Sequence, residues 1–306
     1  MLDERAIQSH FEAVDGLIRS GMSGKRSQYV GKLNDKTWRR HSDSEHESVF
    51  DPKEIRCSYV TDEVAVDTHR ISELVGEALS LSPRLCPLFR REILTLERSR
   101  RKLIVHWAEA GRKTQQAAYD FVVNALWENR SLLDSTIGLK PERSLFHRYK
   151  VGFYATTDAP PASLHSVTFV LGSFGDSVKF RDRIYISWYP FGLLHQESHL
   201  APRFQPPNSD SIQWAKVLQD SLGALTKLMP ASMDVLGESS LSWQPAGGFI
   251  SSWGISGIDD PCSELHQRYR VGVHSHENYH SVDSGKYTLA PLFAKQACSR
   301  ILGSTG

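Results

Sequence analysis

The spacing of the apolar residues changes along this chain, and this change constrains the fold more than any other feature of the sequence. Near the N-terminus, Ile7, Phe11 and Val14 recur with the 3.6-residue period of an amphipathic helix. In the middle of the chain, Ile184 and Trp188 belong to a run in which apolar residues alternate, as in a half-buried strand. We therefore expect a mixed α+β fold with an antiparallel sheet in its central part.

The other periodic segments extend this pattern. Further helices are predicted over residues 67–81, from Ser209 or Asp210 to about residue 228, and over residues 288–302. Residues 35–51 are polar and are predicted to form a surface loop. The face of the third helix that we expect to be buried consists of Ile212, Ala215, Leu218, Leu222 and Leu225. Strands are predicted at residues 56–60, 92–96, 103–107, 119–125, 167–171, 177–180, 184–188, 249–253 and 269–273.

The composition excludes several classes of protein. Lys and Arg number 36 against 35 Asp and Glu, so the net charge is +1, without the basic excess typical of nucleic-acid binding. No apolar run approaches the roughly 20 residues of a membrane span, and the first residues do not resemble a secretion signal. The four cysteines are scattered without a CxxC pair, which is typical of a reducing compartment. We expect a globular cytoplasmic protein that binds a small molecule, with its oligomeric state open.

Two segments are candidates for ligand binding. Residues 281–291 lead through small residues into a helix, whose first amides, with Lys286 beside them, could bind an anion or a carbonyl. The alternative is an ordinary capped helix. Residues 119–127 have the pattern of a strand buried on both faces, and Asn124 and Ala125 stand at its carboxyl end, where α/β sheets bind ligands. The alternative is a core strand with no binding role.

Other constellations are weaker. A group of one cysteine and four histidines could hold zinc, but its spacing matches no standard zinc module, and we expect no metal. The group consists of Cys262, His266, His274, His276 and His280. A run of basic residues between Arg84 and Lys102 is better explained by a solvated hairpin tip than by phosphate contacts. The sequence contains no GxSxG elbow and no P-loop.

Taken in order, several stretches resemble the FAD-dependent oxidoreductases of the D-amino-acid oxidase and glycine oxidase superfamily. Residues 59–67, with the run TDEVAVD, resemble the family strand that leads into a helix on the FAD domain. Residues 119–127 resemble the family strand beneath the cofactor, although Leu126 and Trp127 replace its small residue and Gly. Residues 247–254 resemble the strand that returns from the substrate domain, and residues 284–291 resemble the closing helix entrance.

The resemblance implies site residues and domains. It implies cofactor contacts at Ile93, Asn124, Ala125, Gly285, Lys286, Tyr287 and Thr288, and a substrate face that includes Arg148, Tyr149, Tyr185 and Arg270. It also implies a partial α/β FAD-binding domain over residues 1–140, an antiparallel-sheet substrate domain over 141–253, and a return to the FAD domain over 254–306. No catalytic residue is assigned.

One element of the family is absent from this sequence. The family begins with a strand, a GxGxxG turn and a helix that hold the FAD pyrophosphate, and no GxGxxG occurs here. A shortened gene model, a fragment or a degenerate protein would each explain this. We therefore expect an FAD-dependent oxidoreductase of amines or amino acids that lacks its dinucleotide-binding start and is inactive as this chain. The alternative is a non-catalytic interaction protein that keeps only the substrate-domain scaffold.

Overall fold

The computed structural model describes residues 3–22, 24, 29–109, 113–158, 163–170, 174–208, 212–238, 240–257, 260, 262–266 and 271–303. They divide into two compact units. The first consists of Met1–Val75, Val151–Leu193 and Pro207–Gly247, and the second of Gly76–Lys150, Leu194–Pro206 and Gly248–Gly306.

Helices are interspersed with runs of consecutive strands along the chain. The helices are α1 (Glu4–Gly21), α2 (Asp43–Glu47), α3 (Thr68–Leu81), α4 (Arg130–Thr136), α5 (Tyr189–Gly192), α6 (Ile212–Leu228), α7 (Met233–Leu236) and α8 (Ala290–Gly303). The strands are β1 (Trp38–Arg40), β2 (Tyr59–Thr61), β3 (Arg91–Ser99), β4 (Lys102–Glu109), β5 (Gln115–Tyr119), β6 (Val122–Asn124), β7 (Leu145–Thr156), β8 (Val167–Phe169), β9 (Gly175–Lys179), β10 (Arg183–Trp188), β11 (Leu193–Glu197), β12 (Trp243–Trp253), β13 (Gly272–His276) and β14 (Tyr279–Asp283). The mixed α+β class predicted from the sequence is confirmed.

In the first unit, the predicted antiparallel sheet is present. Strand β9 pairs with β8 and β10, and β10 pairs with the last residues of β7, all antiparallel. Ile184 and Ile186 of β10 are almost completely buried, as their alternation predicts. Helix α6 also forms as predicted, and Leu225 of its predicted face is buried. The rest of the inward face is rotated from the prediction, because Trp214, Val217 and Ser221 are buried whereas Ile212 is 89% exposed.

The prediction of a surface loop over residues 35–51 is wrong. This segment forms β1, which pairs antiparallel with β2, and then α2. Ser42 and Glu45 form a capping box at the start of α2, and each satisfies a backbone N–H of the other. His46 is buried, and both of its ring nitrogens have hydrogen-bond partners there. Its Nε2 lies 2.8 Å from the carbonyl of Ile55, and its Nδ1 lies 2.8 Å from Ser58 Oγ.

In the second unit, the predicted hairpin of β3 and β4 is present, and β5 adds to β4 as a third antiparallel strand. Leu96 and Leu103 from the two hairpin strands meet Leu133 of α4 and Tyr279 of β14 in a buried core. A second small core consists of Val273, Phe293 and Ala297, by which α8 packs on β13. These two clusters hold α4, β14 and α8 in place.

The prediction of one strand over residues 119–125, buried on both faces, is wrong. The segment turns at Asp120, so Tyr119 ends β5 while β6 begins at Val122 and pairs in parallel with β14. Tyr119 is 39% exposed and Val123 is 43% exposed, whereas Asn124 is buried. Strand β14 lies between β6 and an antiparallel partner, β13. The first residues of β7 lie beside β11, and β12 also pairs with β7.

The helices of this chain differ from membrane-spanning segments. None of the helices in the described part of the chain combines the length and the apolar character that crossing a bilayer requires.

Candidate functional site

A small cavity lies within the second unit, among the ends of β7, β12 and β14 and the turn before α4. The residues on its wall that bear on its chemistry are Glu128, Arg130, His147, Ser251, Asp283 and Gly285. Its volume is about 40 Å³. Since one water molecule needs roughly 10–15 Å³ by this measure, the cavity has room for about three waters or one small head group.

A serine and a histidine face each other in this wall. His147 of β7 is 1% exposed, and its Nδ1 lies 2.8 Å from Oγ of Ser251 on β12. Its Nε2 lies 3.0 Å from the carbonyl oxygen of His199. A carbonyl can only accept, so the proton is on Nε2, and Nδ1 accepts the hydroxyl hydrogen of Ser251. The oxygen of Ser251 is therefore left as a hydrogen-bond acceptor toward other groups.

The surroundings of His147 favour its neutral form. Burial lowers the pKa of His147 below 6.5, although the bond to the His199 carbonyl and the charges on Glu197 and Glu128 act in the opposite direction. Burial raises the pKa of Glu197, but hydrogen bonds from the amides of Phe204 and Arg203 outweigh it and hold the value below its usual range. An anionic Glu197 therefore stands near a neutral imidazole.

Arg130 carries the positive charge on the cavity wall, and two carboxylates share it. Its Nη1 lies 3.2 Å from Asp134 Oδ2, and its Nη2 lies 3.2 Å from Asp283 Oδ2. Its Nη1 also donates to Ser281 Oγ over 3.0 Å. On the wall itself, Glu128 and Asp283 stand against Arg130, and Asp134 lies behind the wall, so the net charge of these four side chains is negative.

Asn124, a predicted cofactor residue, belongs to the buried hydrogen-bond network behind Arg130. Its Nδ2 donates to the carbonyl of Arg130, to Asp134 Oδ1 and to the hydroxyl of Tyr279. Its amide therefore ties β6 to α4 and β14. Ala125, the next residue, is exposed, and Ile93 packs against the core cluster that contains Tyr279.

The predicted cofactor loop leads from β14 into α8. Gly285 lines the cavity, has φ of +60°, and donates its N–H to Asp283 Oδ1 over 3.1 Å. Lys286, Tyr287 and Thr288 are exposed, and a 3₁₀ turn over Tyr287–Leu289 opens α8. The amides of Gly285 and Lys286 donate within the loop, to Asp283 Oδ1 and to the carbonyl of Ser284. The amides of Tyr287 and Thr288 follow them, at the positive end of a 14-residue helix.

The predicted substrate residues are spread over the chain. Arg148 and Tyr149 follow His147 on β7 and are buried, and Tyr149 contacts the rings of Phe204 and Phe249. Tyr185 belongs to the first unit, on β10, where burial raises its pKa to about 12. Arg270 lies outside the described residues. The structure therefore brings Gly285, Arg148 and Tyr149 into the unit that holds the cavity.

The weaker constellations have ordinary partners. Across the part of the chain that the structure describes, no group of three or more His, Cys, Asp or Glu is placed to hold a metal ion. His280 stacks on Phe121 and has its Nδ1 2.8 Å from Ser275 Oγ. At the hairpin of β3 and β4, Arg98 forms a 2.8 Å ion pair with Glu277.

Sequence reasoning missed His147, Ser251 and Arg130. The separation of 104 residues between His147 and Ser251 gave no local motif that could have found the pair. Arg130 and Asp134 did leave a signal, because an i,i+4 pair of opposite charge shares one face of a helix.

Comparisons with known proteins identify the fold. No protein-family model matches this chain, and no curated protein matches its sequence. Glycerol-3-phosphate dehydrogenase from Bacillus halodurans, solved in complex with FAD, matches with a TM-score of 0.50 and 14% identity, over 85% of this chain and 48% of that chain. Iminodiacetate oxidase from Chelativorans sp. BNC1 matches with a TM-score of 0.55 and 11% identity, over 97% of this chain and 70% of that chain.

These matches define a class of fold rather than an activity. The chain spans about half the length of the first of these two oxidoreductases and 70% of the second. Its fold is therefore similar to that of an FAD-bound dehydrogenase of greater length.

The residues of this chain fit one end of FAD and do not fit the other. At the end of the Gly285 loop, the amides of Tyr287 and Thr288 are donors of the kind that suits the carbonyl edge of a flavin ring. The sequence contains no GxGxxG turn to hold the pyrophosphate. In the described part of the chain, donors for the ring edge are therefore present beside the cavity unit's last helix, and no GxGxxG turn accompanies them.

Proposed function

We propose that this chain supplies the substrate-binding part and the ring-edge loop of an FAD-dependent oxidoreductase that acts on amines or amino acids. When bound, FAD would supply the electron acceptor, which no amino-acid side chain provides. The chain's own residues would bind and orient the substrate. Without a pyrophosphate-binding turn, we propose that the chain holds FAD weakly and is inactive unless FAD is supplied in large excess.

The observation that carries this proposal is the position of the cavity. It lies between the Ser251–His147 pair and the Gly285 loop, so a substrate head group there would be next to the loop that suits a flavin edge. The likeness to iminodiacetate oxidase, over 97% of this chain, supports an amine as the substrate class, because iminodiacetate is a secondary amine.

We also propose roles for the residues that the sequence suggested. Tyr287 and Thr288 through their amides, and Lys286 through its ammonium group, would stabilise negative charge on the ring edge. Gly285 would give the loop the turn that brings them there. Arg148 and Tyr149, beside His147 on β7, would shape the substrate side of the site. The network around Asn124 would hold the β6 end in place, so its role is to position other groups.

The test is anaerobic reduction of FAD in the presence of the purified chain. The chain is mixed with a large excess of FAD and a panel of primary and secondary amines and amino acids, and the visible flavin band is followed. Bleaching of the band by one class of substrate, faster than with free FAD, supports the proposal. A flavin spectrum that the chain leaves unchanged at every FAD concentration contradicts it.

A second candidate, a non-catalytic interaction protein, is favoured by one observation. Every residue of α3 is at least partly exposed, and large apolar residues along and after it are open to solvent, including Leu81 (83%) and Phe89 (76%). If this were the function, the chain would stay colourless after FAD treatment. Light scattering of the chain would then detect association through this apolar surface. Phe89→Ser would abolish that association, whereas an exposed-site control, Ser80→Ala, would retain it.

A further inference from the structure

The cavity of the second unit differs from an ordinary polar pocket in the direction of its hydrogen bonds. The hydroxyl hydrogen of Ser251 points to Nδ1 of His147, because the His199 carbonyl fixes the histidine tautomer. The hydroxyl of Ser281, behind the wall, donates to Asp134 Oδ2 over 2.8 Å. Both hydroxyl hydrogens are therefore committed within the protein, and the Ser251 oxygen offers lone pairs to the cavity.

The charged groups on the wall also act mainly as acceptors. Asp283 and Glu128 are carboxylates, which only accept when ionised. Arg130, the one cation among the described residues of the wall, directs three of its five N–H groups to Asp134, Ser281 and Asp283. A ligand that brings its own donors and a positive charge matches this wall, whereas a carboxylate would meet acceptors and like charge.

From these features we infer that the cavity is a binding site for the ammonium group of a primary or secondary amine, which donates to Ser251 Oγ. The inference rests on the proposed function and narrows its substrate class from amines or amino acids to the amine group, with no carboxylate recognised in this cavity. The volume of about 40 Å³ suits a head group of the size of methylammonium. His147 acts as a positioning residue, since it orients the serine oxygen.

The same geometry makes binding dependent on pH. If His147 gains a second proton at Nδ1, it no longer accepts from Ser251 and it places a positive charge beside the ammonium site. The charged and titratable groups that face His147 are Glu197 and His199, from β11 and the segment after it, and Glu128, from the turn before α4. Amine binding is therefore strong where His147 is neutral and weakens as the pH falls through its pKa, which lies below 6.5.

The experiment uses the chain as it is, without flavin, and methylammonium as the probe. Histidine ring signals are followed by NMR in a ¹³C-histidine-labelled sample, and the His147 signal is assigned by its loss in His147→Gln. We expect methylammonium to shift the His147 signal saturably, whereas acetate of similar size does not. A response to acetate equal to that to methylammonium, or no response to either, overturns the inference.

Variants separate the binding site from a general ionic effect. Ser251→Ala removes the acceptor and is expected to weaken methylammonium binding by at least about tenfold, since hydrogen bonds to charged groups contribute about 1.5–3 kcal/mol. Ser135→Ala, whose hydroxyl bonds the carbonyl of Leu132 on α4, is the matched control and should bind as the wild type does. In His147→Gln, followed by calorimetry, the loss of affinity at low pH should disappear. Equal binding by Ser251→Ala and wild type, or the same pH profile in His147→Gln, contradicts the inference.

The two proposals fail in different ways. Saturable methylammonium binding with no effect of the chain on any flavin spectrum contradicts the proposed function alone. Reduction of FAD by amines in a chain whose His147 signal ignores methylammonium contradicts only the ammonium site.

Discussion

The hydroxyl of Tyr279, on β14, donates a 2.5 Å hydrogen bond to Oδ1 of Asp134, on α4, and both side chains are buried. Burial, followed by the hydrogen bond and the charge of Asp134, raises the pKa of Tyr279 above its usual value, so its hydroxyl remains a donor. Asp134 also accepts from Asn124, Ser281 and Arg130. The carboxylate of Asp134 therefore links α4 to β6 and β14, and also to Arg130 at the start of its own helix, behind the candidate site.

Asp134→Ala is expected to be the most destabilising change in this network. It leaves the hydroxyls of Tyr279 and Ser281 and the guanidinium of Arg130 without their shared acceptor, and removal of one partner of a buried ion pair costs about 3–5 kcal/mol. Tyr279→Phe keeps the carboxylate and its other donors, so it should cost only about 1 kcal/mol. Urea unfolding measures both free energies.

The matched control for Asp134 is Asp120, whose side chain is 76% exposed and pairs with Lys102 at 3.2 Å. Asp120→Ala should change the free energy of unfolding by less than about 0.5 kcal/mol, because exposed ion pairs contribute little. If Asp134→Ala is no more destabilising than Asp120→Ala, the network does not support the site.

Gly285→Ala is expected to destabilise the loop between the cavity and α8. The residue has φ of +60°, where a side chain costs about 1–3 kcal/mol. A Cβ there would also lie 2.5 Å from Cγ1 of Val271. Gly76→Ala, inside α3 with open space around it, should instead gain about 0.5–1 kcal/mol. Thermal unfolding of the two variants should therefore move in opposite directions, and an unchanged midpoint in Gly285→Ala would contradict this account of the loop.

The elements with strong local patterns could be predicted from the sequence. Helices α1 and α3 and the β3–β4 hairpin form where their hydrophobic periods predict them. The full inward face of α6 could not be predicted in this way. A hydrophobic pattern places the apolar Ile212 inside and the polar Ser221 outside, whereas Ile212 is exposed and Ser221 is buried. The indole of Trp214 donates to the carbonyl of Asn208 over 2.6 Å, and this contact helps to fix the rotation of the helix.

Residues 35–51 contain a sequence signal for a helix, but their polar composition predicts a loop instead. Ser42 and Glu45 have the spacing of a capping box, which predicts a helix start. The burial of His46 depends on Ile55 and Ser58, which lie beyond the segment. The candidate site left no local signal at all. Ser251 meets His147 only because β12 pairs with β7, and no local spacing encodes a pairing between strands so far apart.

Asp15 of α1 is expected to give the first unit a dependence on pH. Its Oδ1 accepts from the amide and the hydroxyl of Thr37, and these bonds hold the pKa of Asp15 below 3.8. Because the folded pKa is lowered, the stabilisation is complete above the unfolded value and is lost as the pH falls through the folded one. Asp15→Asn should thus be less stable than wild type near neutral pH, with a gap that narrows below pH 3.8.

Urea unfolding over a series of pH values tests this, with the exposed Asp234 as control. Asp234→Asn should follow the wild type at each pH. A gap between Asp15→Asn and wild type that stays constant down to low pH would show that the charge of Asp15 is not the source of the effect.

The last prediction concerns the cofactor. A turn that holds the pyrophosphate makes FAD bind far more tightly than riboflavin, because each hydrogen bond to a charged oxygen contributes about 1.5–3 kcal/mol. This sequence has no GxGxxG, and the contact that we propose for the Gly285 loop is with the ring alone. We therefore expect dissociation constants for FAD and riboflavin that agree within about threefold, a difference of under 1 kcal/mol. Quenching of flavin fluorescence measures both constants, and Lys286→Ala should weaken both equally. Tighter binding of FAD by about 100-fold would reveal a pyrophosphate site elsewhere in the chain, and no binding of riboflavin would contradict the ring-edge role of the loop.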